Sequence, residues 1–291
     1  MSYVHDMKTS TTLHDGSTID IEIHGIGPNL LVAVNPIPVE GAQAEAMRQW
    51  GADPALGRTL IDGLADVARV VAFDYEGHVL AHPKPGSLTP ANVVADILAV
   101  ANASGAERFA WYGYSWLAMA GLQVTISTDR LTGLAMGGYP PIDGPYAEML
   151  SVTTAGFELA TGARRSQGED EWASAHLEPD QSRQFLTLYT ALQDFDDREA
   201  VGRIPTRVER VCIVGEKDEI QYGPSWGDVF VSMARPVIDQ RAELEAAGWE
   251  IHVLDGLDHT QAMQPPVVLP ILRQWIERVG ADNSGAALGG A

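Results

Sequence analysis

Three side chains in this 291-residue sequence are of the types that nucleophilic catalysis needs. They are Ser115 in Gly113-Tyr114-Ser115-Trp116, Asp218 in GEKDEI and His259 in GLDHTQAM. A serine hydroxyl is a weak nucleophile at neutral pH and needs a base to take its proton. A neutral histidine does this when a carboxylate fixes its tautomer and stabilises the imidazolium. Each residue has rivals. A serine at a helix start often serves only as an N-cap. Glu216 and Glu219 flank Asp218, whose position is the better one, and His24, His78, His82, His176 and His252 compete with His259. His252 falls inside an apolar run and reads as a packed core histidine, and His78 reads as a loop residue. No His, Asp and Glu spacing suits a metal, and no Gly-rich cradle follows the first parallel strand, so neither a metal nor a dinucleotide cofactor is expected.

The elements that must position these groups are legible from periodicity. KTSTTLHDG and STIDIEIHG alternate at period two and read as a hairpin turning at Asp15-Gly16. Buried-strand runs follow at 30–34, 69–74, 108–114, 131–138, 208–215 and 249–255, with helical patterns between them at 59–68, 88–105, 236–248 and 267–280. Thr89 and Pro90 mark the start of the second helix. Ser115, Asp218 and His259 each come just after a strand run. The order predicts an α/β fold, a mostly parallel central sheet with helices on both faces, which gathers ligands at the carboxyl ends of its strands. Residues 140–203 lack strand runs and read as a helical insertion between a first core part, 1–139, and a second, 204–280. The Gly-rich tail 281–291 reads as disordered.

A formal net charge of −20 works against nucleic acid and anionic membrane surfaces. No apolar run approaches the ~18 residues of a membrane span. The N-terminus lacks the pattern of a secretory signal, and the lone Cys212 can form no internal disulfide. The expectation is a soluble, cytoplasmic monomer or homodimer acting on a small molecule.

With these residues in view, the sequence resembles the α/β-hydrolase superfamily over about residues 8–135 and 205–280. GYSWLA is similar to the nucleophile elbow G-x-S-x-G, GEKD to the acid turn, GLDH with Gln264-Pro265 to the histidine loop, and VVAFDYEGH to the strand and turn before the elbow. The resemblance implies the serine-nucleophile branch, with Ser115, Asp218 and His259 as triad and a helical cap over 140–203. It also implies an oxyanion hole made by the Trp116 and Ile37 N–H groups. The family often has His-Gly-x-Pro where this chain has Asn35-Pro36-Ile37-Pro38, and the flanking prolines have no N–H to give. Two further departures are Leu117 at the second elbow glycine, with Ala118 or Gly121 left to relieve the packing, and Glu76 where an arginine is common. Tyr114, Trp172 and Trp226 are nominated to line the substrate pocket, whereas Trp111 reads as sheet core. The expected activity is hydrolysis of an ester, thioester or lactone-type acyl bond through an acyl-enzyme. The alternatives are carbon-carbon hydrolysis, a lyase or cyclase reaction on the same fold, or ligand binding without turnover.

Overall fold

The structure is a computed structural model that describes residues 7–49, 51–167 and 177–288, with side chains up to residue 281. Ten strands and twelve helices alternate along the described chain. The first part runs β1 (Met7–Thr12), β2 (Thr18–His24), β3 (Asn29–Val32), α1 (Gly41–Gln49), α2 (Leu56–Leu64), β4 (Arg69–Ala72) and α3 (Tyr75–Ala81). It continues through α4 (Pro90–Ala103), β5 (Phe109–Tyr114), α5 (Trp116–Ser127) and β6 (Leu131–Gly137). Three helices follow without a strand, α6 (Tyr146–Ala160), α7 (Pro179–Ala191) and α8 (Asp197–Arg203). The second part is β7 (Glu209–Gly215), β8 (Glu219–Gln221), β9 (Phe230–Ser232), α9 (Ala234–Asp239), α10 (Arg241–Ala246), β10 (Trp249–Leu254), α11 (His259–Ala262) and α12 (Pro265–Leu288).

Eight strands form one sheet in the order β1-β2-β4-β3-β5-β6-β7-β10. The β1–β2 hairpin and the β2–β4 pair are antiparallel, and every later pair is parallel. Burial on both faces explains the unbroken apolar runs. In β5, Phe109 and Trp111 pack on one side with Val93 and Ile97 of α4, while Ala110 and Tyr112 pack on the other with Leu60 of α2 and Leu272 of α12. The chain turns from β3 outward to β4 and then returns to β5 on the opposite side of β3. This reversal opens a crevice at the carboxyl ends of β3 and β5, the place where such sheets receive ligands.

Three local readings change. The helix expected over 236–248 is two short ones, broken at Gln240. The final helix extends to Leu288, into the 281–291 segment whose composition reads as disordered, and Pro270 lies inside it. Tyr75–Ala81 is a helix and not a simple turn, because Asp74 caps it by accepting from the Gly77 N–H at 2.9 Å. No helix among the described residues is long and apolar enough to cross a membrane.

Candidate active site

Ser115 sits between β5 and α5 at φ 57°, ψ −132°, a backbone conformation that L-residues rarely adopt. It makes no side-chain cap for α5, so the N-cap role does not account for it. Its neighbours are shaped to this turn. A Cβ on Gly113 would lie 2.3 Å from the Leu117 carbonyl oxygen, and one on Gly121 would lie 2.3 Å from the Trp111 ring. Gly121 therefore gives the close helix-strand approach that the missing second elbow glycine would otherwise supply. The Trp111 indole donates to the Leu117 carbonyl at 3.1 Å and fixes the start of α5 against β5.

Asp218 is fully buried beyond β7, and His259 opens α11 beyond β10. Because β7 and β10 are parallel neighbours, their ends meet: the Lys217 N–H donates to the Leu257 carbonyl, and a Cβ on Gly215 would strike that same oxygen at 2.3 Å. The His259 Nδ1 lies 2.9 and 2.8 Å from the two Asp218 carboxylate oxygens. A buried carboxylate there favours the tautomer with the proton on Nδ1, which leaves Nε2 as a hydrogen-bond acceptor. Glu216 instead accepts from the Gly256 N–H, and Asp258 caps α11, so neither competes for this histidine. Of the rival histidines, His24 contacts Glu22, His78 contacts Ser17, and His252 contacts Glu250.

Ser115, Trp116 and His259 line two cavities at once, of about 420 and 620 Å³. Among the described residues, Ser115 Oγ makes no hydrogen bond. The smaller cavity lies over the β3–β5 crevice and is walled by Asn35, Ile37, Asp53, Asp74, Glu76 and Tyr114 among others. The larger one runs between the insertion and the second core part, where Met149, Val152, Phe185, Tyr222 and Trp226 give it an aromatic and aliphatic lining.

The nominated residues distribute unevenly over this geometry. Trp116 opens α5, where first-turn N–H groups lack helical partners, and its indole reaches the Glu76 carboxylate at 3.1 Å. The Ile37 N–H is occupied: it donates to Asn35 Oδ1 at 2.9 Å, so it does not face the cavity as a free donor. Tyr114 lines the smaller cavity, yet its hydroxyl donates to the His259 carbonyl at 2.8 Å and its ring packs edge-on against the imidazole, centroids 5.1 Å apart. It holds the histidine loop. Trp226 lines the larger cavity against Gly156 of α6, and Trp172 lies outside the described residues.

Glu76 is a site residue that the sequence reading left unassigned. Its side chain lines the smaller cavity and is exposed to solvent, while the protein packed around the carboxylate raises its pKa. The Trp116 hydrogen bond opposes the shift, and the negative charge of Asp74 adds to it. Its only advance signal is a carboxylate where related chains often carry arginine. Among the described residues, no group of three His, Cys, Asp or Glu could hold a metal ion.

No protein-family model matches the chain, and no curated protein matches it in sequence. Solved structures do match along nearly its whole length. A thermophilic esterase from Thermogutta terrifontis superposes with a TM-score of 0.56 at 16% identity, over 95% of this chain and 99% of its own. The 2-hydroxy-6-oxo-6-phenylhexa-2,4-dienoate hydrolase from Rhodococcus sp. strain RHA1 gives 0.52 at 17% identity, over 94% and 99%. The bottromycin epimerase BotH, solved with bottromycin A2, gives 0.52 at 16% identity, over 94% and 98%. An esterase, a dienoate hydrolase and an epimerase thus share one frame with this chain, which has the α/β-hydrolase fold.

Proposed function

We propose that the chain is a serine hydrolase that cleaves an ester, thioester or lactone-type acyl bond of a small molecule. The observation that carries this reading is the His259–Asp218 contact at 2.8 Å, set at the same two cavities as a serine held in strained backbone. Ser115 Oγ attacks the acyl carbon as His259 Nε2 takes its proton, and the carbonyl oxygen becomes an oxyanion facing the Trp116 N–H. The tetrahedral adduct collapses to an acyl-enzyme as His259 returns that proton to the leaving oxygen or sulfur. Water, deprotonated by the same nitrogen, then releases the acid. Asp218 stays ionised throughout and stabilises the imidazolium. Helices α6 to α8 act as a cap whose side chains select the substrate.

The test is intact-mass spectrometry after exposure to a fluorophosphonate, with an ester, thioester and lactone screen. Wild type is expected to gain one adduct that Ser115→Ala and His259→Ala lack, and Ser115→Ala to lose roughly 10⁴- to 10⁶-fold in turnover. An active Ser115→Ala would sink the reading. A second reading, carbon-carbon hydrolysis or a lyase or cyclase reaction on the same scaffold, draws on the occupied Ile37 N–H and on Glu76 in the cavity. Product analysis in ¹⁸O-labelled water separates a lyase or cyclase, which incorporates none, from either hydrolase, and the leaving fragment, an alcohol or thiol against a carbon acid, separates the two hydrolases.

A further inference from the structure

An oxyanion hole needs at least one donor besides the Trp116 N–H, and the turn after β3 is the segment adjacent to Ser115 that can give it. Accounting for every donor in that turn narrows the choice. Pro36 and Pro38 have no N–H. The Val34 N–H donates to the Val32 carbonyl at 3.1 Å, and the Ile37 N–H to Asn35 Oδ1 at 2.9 Å. What remains is Asn35 itself, with its backbone N–H and its side-chain Nδ2. The bond from Ile37 also fixes the amide's orientation, because only the oxygen can face an N–H donor. Nδ2 must then point away from Ile37, and among the described residues it has no hydrogen-bond partner. Asn35 shares the wall of the smaller cavity with Ser115 and Trp116.

We propose that the Asn35 side-chain amide, through Nδ2, is the second oxyanion donor of this site. The proposal rests on the acyl-transfer reading of Ser115. A side-chain donor is effective only if it is held before the reaction starts, and this turn is held from several sides. Two prolines stiffen it, and Arg58 Nε donates to the Pro36 carbonyl at 3.1 Å while its Nη2 is anchored on Glu22 at 2.8 Å. The Val39 N–H is bound to the Pro54 carbonyl at 2.9 Å. Helix α2 packs so closely that a Cβ on Gly57 would lie 2.0 Å from the Asn35 carbonyl oxygen. The chemistry is that of an amide N–H aimed at developing negative charge, with the asparagine turn replacing a main-chain donor.

The decisive variants are Asn35→Ala and Asn35→Asp, assayed with p-nitrophenyl butyrate or the best ester from the screen. Alanine removes Nδ2 but also releases the Ile37 N–H, so the two possible donors predict opposite outcomes. If Asn35 is the donor, kcat falls about 10²- to 10³-fold with KM changed only a few-fold. If Ile37 is the donor, or the Asn35 main chain, kcat holds or rises, and a value within about threefold of wild type overturns the proposal. Asn35→Asp keeps an acceptor for Ile37 and hence the turn, but presents a negative charge to the oxyanion. It is expected to lose at least as much, which keeps the test valid if the alanine variant folds poorly. Binding of phenylboronic acid, a tetrahedral mimic, should weaken in parallel. Fluorophosphonate labelling of wild type separates the two levels. Labelling with an unimpaired Asn35→Ala overturns Asn35 alone, whereas no labelling overturns the acyl-transfer reading beneath it.

Discussion

Glu76 is a carboxylate at the wall of the smaller cavity, exposed to solvent yet packed partly against protein. Its pKa is raised by that packing and by Asp74 against the opposing Trp116 hydrogen bond. Above the ordinary carboxylate value the unfolded chain gives up this proton before the folded one does. Stability therefore falls as pH rises through the window between the two values, and it stays lower above that window. Because the side chain is open to solvent the effect is screened, so Glu76→Gln is expected to be only slightly more stable than wild type at pH 8 and equal to it below about pH 4, as urea denaturation at the two pH values would read. Equal stability at both would refute this account. At this scale the sequence was legible where a residue type and its place after a strand suffice: Ser115, Asp218 and His259 stand where the strand runs put them. It was not legible for donors, because whether the Ile37 N–H is free depends on which way the Asn35 side chain turns, and no pattern of residue types records a rotamer.

The junction of β5 and α5 is the most tightly specified element. Ten consecutive residues, Trp116 to Thr125, are buried, so α5 has no solvent face and its sequence shows little amphipathic signal. Its position is set by the contact between Gly121 and Trp111 and by the indole bond to the Leu117 carbonyl. Gly121→Ala is expected to destabilise the protein by about 1–3 kcal/mol through overpacking against Trp111, and to lower turnover by tilting the elbow. Chemical denaturation checks the first effect and ester kinetics the second. The strands were readable because burial on both faces demands unbroken apolar runs. The weaker readings failed where local geometry dominates. Gln240 splits a helix whose composition favours continuity, and Asp74 converts a glycine-containing turn into α3 by capping it.

Across the whole molecule, α7 of the insertion between β6 and β7 is fastened to one short segment of the core by three hydrogen bonds. Gln184 accepts from the Lys84 N–H at 3.0 Å, Thr187 donates to the Pro85 carbonyl at 2.6 Å, and Gln181 donates to the Leu80 carbonyl at 2.8 Å. These bonds hold α7 so that Phe185 meets the Trp116 ring edge-on, centroids 5.6 Å apart, in the cavity that Ser115 also lines. Phe185→Ala should enlarge the cavity on that side. The expected result is a shift in the ratio of kcat/KM for long-chain over acetyl p-nitrophenyl esters of about tenfold or more toward the longer substrates. An unchanged ratio would remove Phe185 from the substrate wall. The order of strands and helices made the core legible from sequence, but the packing of α6 and α7 over it was not, since polar helical texture does not say which face turns inward.

The two cavities have three residues in common, Ser115, Trp116 and His259. If the acyl group stays tethered in one while the leaving group departs through the other, the vacated chamber is where the second nucleophile must enter. Water has no claim on that chamber beyond its abundance. Any alcohol or amine shaped like the departed group can occupy it and accept the acyl unit instead. On the proposed acyl-enzyme reading, such an architecture would admit exchange of partners as well as hydrolysis, and the balance between the two would depend on which molecules are present when the chamber empties.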